Sequence, residues 1–218
     1  MTEIRQLRFV APPGATRLLL VRHGESEPVR DGIPVPLLDG CSNPELDPVG
    51  HEQAARIAER LAAEEQVAAI YVTPLVRTQQ TAAPLAERLG LEPRVEPALQ
   101  EIFLGEWEGG HFRRHVMDRH PVAVRLHEEQ RWEVIPGAEP SAQFEARVRE
   151  GVERVAAAHP DETAVVVAHG GTISQALATA AEARPFAFMN VDNGSISELV
   201  VAGEEWTVRR FNDTAHLA

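Results

Sequence analysis

Two short apolar segments, one near each end of the chain, are followed by the same dipeptide, and this pair constrains the fold more than any other feature. Residues 17–22 lead into His23-Gly24, and residues 163–168 lead into His169-Gly170. Continuous apolar runs of this length are typical of buried strands in a parallel sheet. Because the carboxyl ends of parallel strands lie at one edge of the sheet, where ligands bind, we expect the two histidines to face the same point.

The rest of the chain alternates strand-like and helical segments, the pattern of an α/β fold. Asp47-Pro48 and Thr73-Pro74 each resemble an N-cap followed by proline at the first helical position, so we expect helices from there to about Ala63 and to Gly90. Further helices are predicted over residues 111–129 and 141–159, and further strands over residues 67–72, 91–95, 195–201 and 206–211. The sequence therefore predicts a three-layer α/β/α sandwich around a largely parallel sheet, with the last two strands as an antiparallel edge pair.

The length of 218 residues suits one domain, with no repeat or linker. We assign residues 1–16 to an N-terminal extension, with a candidate strand over residues 4–10. Residues 17–218 form the domain, with a short cap insertion near residues 110–140. The extension is a candidate for a homodimer contact.

Composition excludes several classes of function. A formal net charge of −12 argues against nonspecific binding to nucleic acid or to an anionic membrane. All 21 basic residues are arginine, which excludes Schiff-base chemistry, P-loop sites and kinase-type sites, because each uses a lysine amine. There is no apolar run long enough for a membrane helix, and the N-terminal residues have no apolar stretch of signal-peptide length, so we do not expect secretion. Cys41 is the only cysteine, which fits a reducing cytoplasm.

The predicted strand over residues 67–72 adds a cation to the edge where the histidines lie. Its end is followed by a helix whose first turn contains Arg77, and a helix N-terminus favours an anion. Together with Arg22 and the two histidines, Arg77 makes a pocket suited to a doubly charged oxyanion, most simply phosphate. Arginine offers such a group planar, bidentate hydrogen bonding.

Four segments, in order along the chain, resemble the motifs of the histidine phosphatase superfamily, the phosphoglycerate-mutase-like family. The resemblance spans roughly residues 17–211. An Arg-His-Gly triplet alone is a weak signal, but four ordered motifs are specific. The motifs are Arg22-His23-Gly24-Glu25, residues 73–82, residues 99–109 and residues 167–171.

The resemblance implies a set of roles at the site. His23 attacks phosphorus and carries a phosphohistidine. Arg22, Arg77 and His169 hold the phosphoryl oxygens, and Glu101 protonates the leaving group and then accepts a proton from water. Gly170 and Ser26 are further candidates for phosphate binding, although Ser26 would equally well cap a turn. Gly24, beside His23, is expected to leave room for the phosphoryl group to approach. No metal or other cofactor is expected.

Several assignments have competitors within the sequence. Glu106 and Glu108 lie near Glu101, which is preferred because it stands at the family's position before Gly105 and Trp107. Arg113 or Arg114 in the cap is a candidate substrate contact. His111, His115, Asp118 and His120 have passable spacing for metal ligands, but a solvated helix face is the better interpretation.

The superfamily contains phosphatases and mutases, and the sequence favours a phosphatase of small phosphate esters. Leu104 stands where the mutase branch has tyrosine, and the lysine of the mutase cap is absent. The short cap and residues 135–139 resemble the phosphatase branch, while Pro28-Val29 replaces the family's usual Trp-Asn. The alternatives are a cofactor-dependent phosphoglycerate mutase, a catalytically silent protein that binds a phosphorylated ligand, and a phosphatase of phosphorylated proteins.

Overall fold

A six-stranded sheet lies at the centre of the computed structural model, which describes residues 5–218. The strand order is β5-β4-β6-β1-β7-β8, and a separate two-stranded hairpin pairs β2 with β3. The strands are β1 (Thr16–Arg22), β2 (Leu37–Leu38), β3 (Cys41–Ser42), β4 (Val67–Val72), β5 (Arg94–Val95), β6 (Thr163–Ala168), β7 (Ile196–Ala202) and β8 (Glu205–Asp213). The helices are α1 (Pro48–Glu64), α2 (Val76–Leu89), α3 (His111–Met117), α4 (Pro121–Glu129), α5 (Ser141–Ala157) and α6 (Gly170–Ala180). Short 3₁₀ turns cover Pro97–Leu99, Gly105–Trp107, Trp132–Val134 and Ala215–Leu217.

Alternating side chains of β1 build the core on both faces of the sheet. Leu18 and Leu20 pack in a cluster with residues of α5 and α6, whereas Leu19 and Val21 pack with residues of α1 and α2. All four are at most 3% exposed, and burying one such side chain contributes about 1.5–3 kcal/mol. The predicted α/β/α sandwich is confirmed.

The sheet register brings the two His-Gly dipeptides side by side. β1 runs parallel to β6 with Arg22 opposite Ala168, and the backbone N–H of His23 donates to the carbonyl of Ala168 at 3.0 Å. β4 continues the parallel arrangement on the far side of β6, and β7 and β8 run antiparallel. The expected edge pair is therefore confirmed.

The two predicted proline-led helices begin differently. Asp47 caps α1 as expected, its side chain accepting from the N–H of Gly50 at 2.9 Å. The prediction that Thr73 caps α2 is wrong, because that helix starts at Val76 and its first N–H donates to the side chain of Asn43 at 2.8 Å. Gly90 ends α2 in the left-handed conformation, as expected.

The helix predicted over residues 111–129 is two helices, α3 and α4. Pro121 disfavours a helical conformation at the residue before it, and it lacks the N–H that would continue α3. Arg119 has φ of 51°, and the His120 side chain accepts from the N–H of Val122 at 3.2 Å to cap α4. The interruption is therefore a turn with its own cap.

Two predicted strands also differ from the structure. The segment at residues 91–95 is a strand only over Arg94–Val95. Residues 5–10 form no strand and are exposed, so the prediction over residues 4–10 is wrong for the described part, while Ile4 lies outside the described residues. Pro12 and Pro13 then separate this segment from β1. Among the helices of residues 5–218, none is long and apolar enough to cross a membrane.

Candidate active site

A cavity of about 320 Å³ lies at the carboxyl ends of β1 and β6. Four of the residues predicted for the site, Arg22, His23, Arg77 and Glu101, line it together with Gly170. They come from separate parts of the sequence and meet because β1, β6 and β4 are neighbours in the sheet. The other lining residues are Glu27, Val29, Val35, Ser42, Pro44, Ile102, Leu104, Trp107, Gly110, Phe112, Arg113, Trp132, Gly171, Met189, Asn190 and Val191.

His23 is held with one ring nitrogen facing a cation. Its Nδ1 lies 2.7 Å from the carbonyl oxygen of Gly24, and a carbonyl can only accept, so Nδ1 carries the proton. Nε2 is then unprotonated, and its lone pair accepts a hydrogen bond from Nε–H of Arg77 at 3.1 Å. Burial, and then the charges of Arg77 and Arg22, hold the pKa of His23 well below its usual value. His23 is therefore a neutral imidazole with Nε2 unprotonated at neutral pH.

Two buried or half-buried guanidiniums supply positive charge at this point. Arg77 is 7% exposed, donates to the carbonyl of Ser42 at 2.8 Å, and burial lowers its pKa to about 10, which leaves it charged at neutral pH. Arg22 donates through Nη1 to the carbonyl of Val191, while its Nε is buried with no partner among the described residues. An unpaired buried donor is costly, so this atom favours an anionic ligand.

His169 is not among the cavity-lining residues and lies directly behind His23, packed edge-on against it. The ring centroids are 5.3 Å apart, and His169 is fully buried. Its Nε2 lies 2.9 Å from the hydroxyl of Thr73, and its Nδ1 has no partner among the described residues. When the Thr73 hydroxyl donates to Nε2, the ring proton is on Nδ1, which can then donate to an anion.

The Glu101 carboxylate is oriented by two backbone N–H groups. Oε1 accepts from Ile102 at 3.0 Å, and Oε2 accepts from Gly171, the second residue of α6, at 3.1 Å. A Cβ built on Gly171 would lie 2.5 Å from Oε1, so the approach of Glu101 requires glycine there. Arg147 of α5 fixes the segment from the other side, donating to the carbonyl of Glu101 at 3.0 Å.

The competing carboxylates have other positions. Glu108 accepts from the N–H of Ser42 at 2.7 Å and from the N–H of Leu104 at 2.9 Å, which fixes the Ser42 carbonyl that receives Arg77. Glu106 is exposed and is not among the cavity-lining residues. Glu101 is therefore the carboxylate of this segment that the structure brings to the cavity.

The two cap arginines point to different places. Arg113 lines the cavity and donates to the hydroxyl of Ser26 at 2.6 Å and to the carbonyl of Glu27 at 3.0 Å. Arg114 pairs with the exposed Asp31 instead. Ser26 is buried, is not among the cavity-lining residues and has its hydroxyl bound by Arg113, so the structure does not offer it as a phosphate contact.

Gly24 makes room for protein rather than for ligand. A Cβ on Gly24 would lie 2.5 Å from the carbonyl oxygen of Gly50 in α1, and a Cβ on Gly50 would overlap the carbonyl oxygen of Glu25. The interpretation of Gly24 as space for an approaching phosphoryl group is therefore wrong. The helix N-terminus that lines the cavity is that of α6, at Gly170 and Gly171, whereas the first N–H of α2 is occupied by Asn43.

The cap side of the cavity is aromatic. Trp107 and Trp132 are buried and lie on either side of Phe112, with ring centroids 6.1 and 6.3 Å from it. His115 packs on Trp107 at 4.6 Å. Among the described residues no group of His, Cys, Asp and Glu side chains is arranged to hold a metal ion.

Sequence reasoning missed several residues that position the site. Asn193 donates through its side-chain amide to the carbonyl of His23 at 3.0 Å, and the following Gly194 donates to the carbonyl of Arg22 at 3.1 Å. The Asn-Gly dipeptide before β7 signals a turn, but not its partner. The local pattern around Thr73 indicates only a helix cap, and Arg147 carries no local signal at all.

The assembled geometry suits transfer of a phosphoryl group. It combines an unprotonated imidazole nitrogen, two guanidiniums, a helix N-terminus and a carboxylate, all lining one cavity. Phosphoryl transfer depends mainly on positioning and on electrostatic stabilisation, which these groups supply.

Comparisons with known proteins agree with this geometry. The sequence profile of the histidine phosphatase superfamily (branch 1) matches residues 18–214. Phosphoserine phosphatase 1 of Hydrogenobacter thermophilus is 32% identical over 206 residues, covering 92% of this chain and 94% of that relative. The metal-independent phosphoserine phosphatase of Arabidopsis thaliana is 28% identical, covering 93% of this chain and 84% of that relative. The solved structure of mycobacterial glucosyl-3-phosphoglycerate phosphatase has a TM-score of 0.74 at 29% identity, covering 92% of this chain and 100% of that one.

Proposed function

The chain belongs to the histidine phosphatase superfamily (branch 1) and is a phosphoric monoester hydrolase, and from this premise we propose that it hydrolyses small phosphorylated metabolites through a phosphohistidine at His23. Relatives named for phosphoserine and for glucosyl-3-phosphoglycerate support a small phosphate ester as the substrate. The observation that carries the proposal is the pairing of His23 Nε2 with Arg77 at 3.1 Å while Nδ1 is tied to Gly24.

In the first step, the lone pair of His23 Nε2 attacks phosphorus and the bond to the ester oxygen breaks. The departing oxygen takes a proton from the carboxyl group of Glu101 and leaves as a neutral alcohol. Arg22, Arg77, His169 and Gly170 hold the other phosphoryl oxygens during the transfer. The Nδ1–H bond to Gly24 stabilises the imidazole as it gains positive charge.

In the second step, a water molecule attacks phosphorus and gives a proton to the Glu101 carboxylate. The P–N bond breaks, and its electron pair returns to Nε2 of His23. The products are inorganic phosphate, a neutral imidazole and a protonated Glu101, so the site is reset. One carboxyl group thus serves first as an acid and then as a base.

Metal independence is part of the proposal. The charge that Mg²⁺ would neutralise in other phosphoryl-transfer sites is met here by Arg22 and Arg77, with Arg113 as a third cation lining the same cavity. The name of the metal-independent plant relative supports this.

The test is turnover of p-nitrophenyl phosphate from about pH 4.5 to 8 in the presence of EDTA. His23→Gln should be inactive, and His51→Gln, at an exposed histidine of α1, should keep wild-type activity. Rapid quenching of the wild type should trap phosphate on His23 in a form that is stable to base and labile to acid. Turnover that EDTA abolishes, or that survives in His23→Gln, would contradict the mechanism.

The alternative functions have separate readouts. A mutase must hold a second phosphate, and among the described cavity-lining residues Arg113 is the one cation besides Arg22 and Arg77. Conversion of 3-phosphoglycerate to its isomer would favour the mutase. Phosphate binding without turnover of any ester would favour the silent binder.

The remaining assignments are also proposals. We propose a cytoplasmic location, a homodimer contact through residues 1–16, and a domain over residues 17–218 with its cap near 110–140. Cell fractionation tests the first of these. Light scattering and activity of a chain lacking residues 1–12 test the other two.

A further inference from the structure

We propose that the preferred substrates are monoesters whose alcohol is apolar, with a flat ring or a branched hydrocarbon, rather than amino-acid, sugar or second-anion alcohols. This inference rests on the proposed function and names the substrate class of the same site. It comes from the distribution of charged and apolar side chains around the cavity.

The three arginines that line the cavity gather at its phosphoryl end. Arg77 donates to Nε2 of His23 at 3.1 Å. Burial is the largest cause that lowers the pKa of His23, and the nearby charges of Arg77, Arg22 and Arg113 lower it further. Arg113 also has two of its N–H groups committed to Ser26 and Glu27. These cations therefore serve the phosphoryl group, and they are not distributed around the alcohol.

The walls beyond this end are largely hydrocarbon. Phe112 lines the cavity from the cap and Leu104 from the segment before it. Val29 and Val35 line it from the long loop after β1, and Met189 from the loop after α6. The volume of about 320 Å³ is at the small end of the range of ligand pockets, roughly 300–1,000 Å³. Once the phosphoryl group is seated, the space left suits one ring or a short branched chain.

A polar alcohol finds few partners there. Glu27, exposed at the mouth, would repel the carboxylate of phosphoserine or the second acid of a phosphoglycerate. Ser42 is partly committed to Glu108 and to Arg77, which leaves Asn190 as the main neutral polar side chain on the wall. Hydroxyl and ammonium groups would lose water without regaining hydrogen bonds, which costs affinity.

The experiment compares alkyl esters, because their alcohols are similar leaving groups. We would measure kcat/KM for 2-phenylethyl phosphate, glycerol 3-phosphate and O-phosphoserine. The phenylethyl ester should exceed the other two by at least about tenfold. Binding of the matching non-hydrolysable phosphonates, 3-phenylpropylphosphonate and 3,4-dihydroxybutylphosphonate, is measured by calorimetry on the same protein.

Two variants test whether the walls cause the preference. Met189→Gln keeps the size of a half-buried wall residue and adds an amide, and should lower the phenylethyl-to-glycerol ratio by about fivefold. Phe112→Ala should lower it by about tenfold. Met117→Gln, at a methionine of the same cap that is 77% exposed and outside the cavity, should keep the wild-type ratio.

The two hypotheses fail in different ways. Equal or higher kcat/KM for phosphoserine or glycerol phosphate, or equal binding of the two phosphonates, would overturn the substrate inference while leaving the phosphatase intact. Absence of turnover for every ester would overturn the proposed function. The phosphonate binding would then still decide the character of the cavity, since tighter binding of the phenylpropyl compound supports it and equal binding refutes it.

Discussion

Arg77 donates its Nε–H to the ring nitrogen of His23 that lies on the far side from the Gly24 carbonyl, at 3.1 Å. A cation bound to that nitrogen opposes its protonation. When the nitrogen attacks phosphorus, the same guanidinium is placed to bind a phosphoryl oxygen. The same contact therefore sets both the protonation state of His23 and the position of the transferred group.

Replacing Arg77 by methionine should move the acid limb of the pH–rate profile upward. The neutral form of His23 is the nucleophile, so activity falls as the pH drops through its pKa, which in the wild type lies well below 6.5. Removing the Arg77 charge removes the second of the causes that lower this pKa, so the pKa rises toward its ordinary value. The limb should shift accordingly, and NMR titration of the imidazole should show the same direction.

The same variant should lose about 3–4 kcal/mol of transition-state stabilisation, which lowers kcat/KM by a factor of about 10²–10³. Arg77→Lys should recover little of it, because an ammonium cannot reproduce the planar fork that reaches both Ser42 and the phosphoryl group. An unchanged acid limb in Arg77→Met would contradict the assignment of this contact.

Thr73→Val should impair catalysis without touching the cavity wall. The hydroxyl lost is 2.9 Å from Nε2 of His169, and its absence leaves that buried nitrogen unpaired, at a cost of about 1–3 kcal/mol in the free energy of unfolding. We expect kcat to fall about tenfold with a smaller change in KM, because His169 loses the tautomer that donates to phosphate. Thr73→Ser retains the hydroxyl and should restore kcat, whereas a purely structural role would give equal activity per folded molecule in all three proteins.

Glu101→Gln should show a loss that depends on the leaving group. An alkyl ester needs a proton at its oxygen, whereas p-nitrophenolate leaves without one, so kcat for the alkyl ester should fall by about 10²–10⁴ and that for the nitrophenyl ester by less. Glu106→Gln, at an exposed carboxylate outside the cavity, is the matched control and should behave like the wild type with both esters. Equal losses with both esters would argue against proton donation by Glu101.

The sequence predicts those parts of the fold that have a local sequence pattern. The sequence predicts β6 and the following His169 to the residue, because a continuous apolar run that ends in His-Gly has clear boundaries. The order β4-β6-β1 then brings Arg77 and the histidines together without further information. The family motif also predicts that Glu101, rather than Glu106 or Glu108, is the carboxylate at the cavity.

The parts that sequence missed depend on partners far along the chain. Thr73-Pro74 has the form of a helix cap, but β6 lies beside β4, so the Thr73 hydroxyl meets His169 and the capping falls to Asn43. Arg147 lies 46 residues from the carbonyl of Glu101 that it holds. Local sequence patterns do not predict such pairings, because they arise only when the helices and the sheet pack together.

Gly50→Ala tests the corrected interpretation of Gly24, which is that the turn after β1 and the first turn of α1 touch backbone to backbone. Alanine normally stabilises a helix by about 1 kcal/mol over glycine, yet a Cβ at Gly50 would overlap the carbonyl oxygen of Glu25. We therefore expect a net loss of about 1–3 kcal/mol in the free energy of unfolding, measured by urea denaturation, and a similar loss for Gly24→Ala.

Gly170→Ala is the control for this comparison. It also lies in the first turn of a helix, but its Cβ would meet only Arg22, at an ordinary contact distance of 3.4 Å. The propensity gain should then dominate, so its stability should equal or exceed that of the wild type. If Gly50→Ala were stabilising as well, the turn after β1 and the first turn of α1 would not be in close contact, and the glycine at position 24 would again need an explanation in terms of a ligand.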